Sequence, residues 1–146
     1  LLRRAVSGVL RNAQNGELPL FAWTLGMPQP ELLALLARLF PEVDPVESMP
    51  DAQYQKLLRM CPPDFAAMLT LLLANRNPEQ PERLTRWLAH AIAAACYGER
   101  ELWEDLDLGG RDDLGQLLQQ YFPTLHARLR HGHNWKQVLL TEFHAT

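Results

Sequence analysis

Between Leu84 and Cys96 the apolar side chains fall at Leu84, Trp87, Leu88, Ala91, Ile92, Ala95 and Cys96. Steps of three and four, held along the whole run, put all seven on one face of an α-helix; a strand would scatter them over both faces of a sheet. Gly98 is expected to end this helix, as a residue able to adopt the left-handed conformation at a helix C-terminus. The next segment, Trp103 to Leu108, reads as a short aromatic-aliphatic link flanked by acids. Gly109 and Gly110 break it, and Asp112 or Asp113 is placed to open the following helix near its positive end.

The same spacing recurs along the chain. It is carried by Leu2, Ala5, Val6, Val9 and Leu10, then by Leu32, Leu35, Leu36, Leu39 and Phe40. It returns at Phe65, Met68, Leu69, Leu72 and Leu73, and again at Leu114, Leu117, Leu118, Tyr121 and Phe122. A weaker helix is expected around Tyr54, Leu57 and Leu58, and a last one around Trp135, Val138, Leu139 and Phe143. No segment sustains the period-two alternation of a strand. The expected fold is all-α, a single compact bundle of about six to seven helices. Residues 1–125 would form its body, and residues 126–146 a tail bearing histidine and arginine with a short helix in the same domain.

Two stretches resemble each other, Trp23 to Pro41 and Trp103 to Pro123. Each holds a Trp, a Leu-x-hydrophobic link, a breaker, an acid and a helix ending in Phe-Pro. Proline disfavours helical geometry in the residue before it, so Phe-Pro is an effective helix stop. Duplication and convergence on a good stop both account for the likeness. Trp23 and Trp103 are expected to pack in the core, each laying its ring over the next helix.

Composition excludes several classes. A net charge of -3 argues against a nucleic-acid or anionic-membrane partner recognised through bulk charge. No apolar run approaches the length of a membrane span. Cys61 and Cys96 are the two cysteines, too few for a disulfide framework, so a reducing cytoplasmic setting is expected. Cys96 lies on an apolar stripe and reads as a core hydrophobe, whereas Cys61 is expected to be more exposed. His90 sits at the edge of its helix's buried face. The acids Glu99, Glu101, Glu104, Asp105, Asp107, Asp112 and Asp113 read as a solvated face. Nucleotide-binding and serine-hydrolase motifs are missing, so no enzyme activity is expected.

The tail is different in kind. His126, Arg128, Arg130, His131, His133 and Lys136 follow one another with no acid between them. His131 and His133 flank Gly132, and neutral imidazoles at this density can bind a transition metal with His126 or His144 as a further ligand. The same run also reads as a solvated, mildly basic loop.

The residues Ala95, Cys96, Gly98, Leu102, Trp103, Asp105, Leu106 and Leu108, followed by Phe122, Pro123 and Leu125, resemble a region of the NifQ family. That region reads Ala-Cys-x-Gly, Leu-Trp-x-Asp-Leu-Gly-Leu, then a helix ending in Phe-Pro-x-Leu. The segment from Leu18 to Pro41 and the Asn134-Trp135-Lys136 run resemble further parts of it. The resemblance implies a role in supplying molybdenum to the iron–molybdenum cofactor of nitrogenase, with proteins of cofactor assembly as partners. It also implies molybdenum or an iron–sulfur cluster held on a C-terminal cysteine-rich motif. The sequence shows no such motif, and His144 falls near the place of its first cysteine. Either a cysteine-bearing segment lies past Thr146, or the helical body persists without the cluster. Metal held in the present residues would rest on His126, His131, His133 and His144. Trp135 and Lys136 would then position the tail and, with Arg128 and Arg130, bind a partner. The alternative is a metal-free helical interaction module built on the same body.

Overall fold

The apolar spacing becomes helix wherever it occurs, and prolines stand at most of the edges. The computed structural model describes residues 1–43, 48–129 and 136. Among them are helices α1 (Leu2–Gln14), α2 (Gln29–Leu39), α3 (Asp51–Leu58), α4 (Phe65–Ala74), α5 (Glu82–Ala95), α6 (Leu102–Asp105), α7 (Arg111–Tyr121) and α8 (Pro123–Leu129). A 3-10 helix, Leu20–Thr24, lies between α1 and α2. The all-α expectation holds, with no strand among the described residues. There are more helices than the expected six to seven. The supposed link after Leu102 is a short helix, and the chain turns straight from Phe122 into α8. The helix expected around Trp135, Val138, Leu139 and Phe143 lies outside the described residues.

Helix α5 is the centre of the core. Trp87, Leu88, Ala89 and the whole run from Ala91 to Ala95 are buried, so the helix is covered on more than its one apolar face. Its alanines let α1 and α4 pack closely from two sides. The Glu31 carboxylate ties α2 to it: Arg83 donates to both oxygens, at 3.0 and 3.2 Å, and the Trp87 indole N–H donates at 2.8 Å. These donors hold the Glu31 carboxyl below its ordinary pKa. His90 is half-buried and shares a 2.7 Å hydrogen bond with the Leu25 carbonyl, while burial lowers its pKa. It sits at the core edge as the spacing implies. No helix among the described residues is long and apolar enough to cross a membrane.

The two Phe-Pro stops are nearly identical. Phe40 closes α2 at φ -130°, ψ 58°, and Phe122 closes α7 at φ -137°, ψ 59°, each donating its N–H to the carbonyl four residues back. Aligned on these ends, Leu32 and Leu35 match Leu114 and Leu117, and all four are buried. Upstream, with one residue inserted, Phe21, Thr24, Leu25 and Met27 match Leu102, Asp105, Leu106 and Leu108, all buried. Gly26 at φ 66° then coincides with Asp107 at φ 54°.

The two tryptophans do not coincide in this register. Trp23 is 40% exposed, so the expectation that it packs in the core is wrong. It stands on the outer side of the 3-10 helix, whose inner positions are Phe21, Ala22 and Thr24. Trp103 is half-buried against the core, and its N–H donates to Glu101 at 2.8 Å. The expectation for Gly98 also fails: it is not in the left-handed region. Its reason is space, since a Cβ there would lie 2.3 Å from the Asp105 Oδ2 atom. Gly110 occupies the N-cap of α7, and Asp112 and Asp113 stand in its first turn, near the positive end as expected.

Helix α1 crosses α5 and clasps the end of α6. Gly8 lets the two backbones approach, because a Cβ there would come 2.2 Å from the Leu106 carbonyl oxygen. Asn12 donates to the Asp105 and Glu104 carbonyls at 2.8 and 3.3 Å, and Arg4 to that of Asp107 at 3.0 Å. Arg11 pairs with the Asp107 carboxylate at 2.7 Å. Gly8→Ala is therefore expected to destabilise the protein by about 1–3 kcal/mol. Gly110→Ala, where a Cβ meets nothing within 4 Å and only a poorer N-cap results, is expected to cost less, about 0.5–1 kcal/mol. Urea unfolding of the two variants checks both expectations.

Candidate functional site

The polar centre of the molecule lies at the turn from α5 through α6. Asp105 is the last residue of α6, three positions after buried Leu102, and that register turns its side chain inward. Its carboxylate is fully buried, which overturns its reading as part of a solvated acidic face. An isolated carboxylate in such a place would be strongly disfavoured. Here Arg100 Nε donates to Oδ1 at 3.1 Å, and the Lys136 ammonium binds Oδ2. The same ammonium donates to the Gly98 carbonyl at 2.8 Å.

The other acids of the run are engaged to different degrees. Glu101 accepts from Arg111 and Trp103, which lower its pKa, and the Gly109 amide donates to Asp113 at 3.1 Å. Glu99 and Asp112 are exposed. The run is thus a set of helix-end and loop ties around one buried member.

The tail residues are placed unequally. His126 is half-buried on α8, with its Nε2 atom 3.9 Å from where a Cβ on Gly115 of α7 would stand. Arg128 is exposed on the same helix. Lys136 is buried and points inward to Asp105. Arg130, His131, His133, Trp135 and His144 lie outside the described residues. No cluster of three or more metal-binding side chains occurs among the described residues.

Both cysteines are half-buried. Burial above all pushes the Cys96 thiol up to about 12, against the pull of the Lys136 ammonium and with Asp105 adding to it. Burial, then the Asp64 carboxylate, also raises Cys61. That partial burial, against the core, is more than the expected exposure of Cys61. Tyr97 between them in this region donates its hydroxyl to Asp64 at 2.6 Å. Iron–sulfur clusters are held by thiolates, usually four. Two thiols kept protonated by burial do not fit that requirement, so the present residues do not make such a site. A groove of about 680 Å³ between α1 and α2 is mostly apolar, lined by Leu10, Leu33, Leu36 and Phe40, and its described lining offers no carboxylate, imidazole or thiol.

Sequence reasoning missed Arg100, Asn12 and the role of Asp105. The one available signal was the three-residue step from Leu102 to Asp105, masked by the acids on either side.

The family model for NifQ matches residues 5–143, nearly the whole chain. The chain belongs to the NifQ family. Over 83 residues it is 39% identical to "Protein NifQ" of Azotobacter vinelandii, an alignment that covers 57% of this chain and 42% of that protein. The match to this relative thus takes in less than half of the relative's length. No solved structure matches the chain.

The raised thiols give a pH dependence of known sign. A thiol whose folded pKa lies above its unfolded value of about 8.5 stays protonated in the fold while the unfolded chain ionises. Its contribution to stability is complete below that pH and declines as pH rises through the window up to the folded value. Cys96→Ala is expected to flatten the fall of the urea midpoint between about pH 8 and 9.5, before unfolded tyrosines ionise near 10. Cys61→Ala should flatten it less.

Proposed function

We propose that this chain acts in the assembly of the iron–molybdenum cofactor of nitrogenase, carrying molybdenum as cargo and passing it to the assembly proteins. The observation that carries the reading is the NifQ family match over residues 5–143, which takes in the helical body and most of the tail. The relative from Azotobacter vinelandii supports it at 39% identity. The body serves as the platform, and the residues from His126 on as the metal-bearing segment. His126, His131, His133 and His144 supply imidazole nitrogens, the donor type here best suited to a transition metal. Arg128, Arg130 and Trp135 are the docking residues for the receiving protein. The role is that of an accessory donor in the reducing cytoplasm rather than an enzyme.

The test is elemental analysis of the protein purified anaerobically from a nitrogen-fixing host with its native C-terminus. Molybdenum is expected to co-purify, and to fall by about tenfold or more when His131 and His133 are both replaced by Ala. Molybdenum at background in the unaltered protein overturns the reading.

A further inference from the structure

Three residues from separate parts of the chain meet around one ammonium group. Asp105 comes from α6, Gly98 from the turn after α5, and Lys136 from beyond α8. Each is shaped for the others. The Asp105 side chain is 0% exposed and that of Lys136 11%. Gly98 is neither left-handed nor exposed, and any side chain there would strike the carboxylate. Its carbonyl takes a second ammonium proton at 2.8 Å. The two carboxylate oxygens are divided, Oδ1 to Arg100 and Oδ2 to Lys136. Arg100 keeps 38% of its side chain exposed, so the water-excluded half of the socket is left to the lysine.

A buried carboxylate deprived of one partner is strongly unfavourable, whereas the complete pair is tolerated. The arrangement therefore discriminates sharply between lysine in and lysine out. We propose that Asp105 and Gly98 form an ammonium latch for Lys136, and that this ion pair fixes where the chain at Lys136 sits on the helical body. The proposal deepens the molybdenum-carrier reading and rests on it for its purpose. The latch keeps the Lys136 ammonium from any docking partner.

The sequence supplies its own control, because Lys56 and Lys136 are its two lysines and Lys56 is exposed. Intact folded protein is treated with an amine-acetylating reagent, and modification at each lysine is followed by peptide mass spectrometry. Lys136 is expected to react about tenfold or more slowly than Lys56. In Asp105→Asn that gap should largely close while the helical circular dichroism is retained. Gly98→Ala, which keeps the carboxylate but fills the socket, should close it too. Equal reactivity of the two lysines in the unaltered protein overturns the proposal. So does a folded Asp105→Asn variant in which Lys136 stays slow, because apolar packing would then be the anchor. The wild-type comparison stands even where a variant fails to fold. Neither measurement depends on metal, so a working latch on a protein without molybdenum would defeat the carrier reading alone.

Discussion

A carboxylate sealed from water is the constraint around which the chain arranges itself. Helix α6, at four residues, is far too short to persist on its own, since helix nucleation is costly and short helices gain few bonds in return. It persists because each of its ends is held by something distant. Asn12 caps its carbonyls from α1, Arg100 and Lys136 neutralise its last side chain, and Leu102 and Leu106 are buried. Remove the charge pairing and the burial of Asp105 becomes a liability for three elements at once.

The two halves built on Phe-Pro stops solve the same packing problem with different polar centres. At the position of Asp105 the first half carries Thr24, also fully buried. Its hydroxyl donates to the Phe21 carbonyl at 2.7 Å and accepts from the Gly26 amide at 3.0 Å. Thr24 thus satisfies itself within its own turn, whereas Asp105 must recruit cations from elsewhere. The neutral version closes locally; the charged version gathers in the rest of the chain.

Long helices were legible because their signal is repeated: five apolar residues at helical steps outweigh any single exception. The Phe-Pro stops were legible for a similar reason, since the steric effect of proline acts on the preceding residue whatever the tertiary setting. Asp105 was not, because an acid among acids looks solvated until one knows which turn of which helix it occupies. Gly98 was recognised as a stop but for the wrong cause. Its lack of a side chain answers to a neighbour seven residues on, and local rules do not see that. Trp23 was misplaced because matching tryptophans suggested a register that the buried residues do not share. The histidines have the side chain of a metal donor, yet nothing in their spacing says which of them would converge.

The clasp of α1 on the Asp107 turn also bears on how the protein is made. Arg4 and its acceptor are separated by 103 positions, and Arg11 and its partner by 96. A ribosome delivers α1 well before that turn, at roughly 5–20 residues per second. That helix, with Ala5, Val6 and Val9 ready for burial, must wait several seconds before the turn it grips has emerged. During that interval its greasy face has only the nascent α2–α5 region to shelter against. Native closure of this clasp is therefore a late event in synthesis, long after α1 itself has been translated.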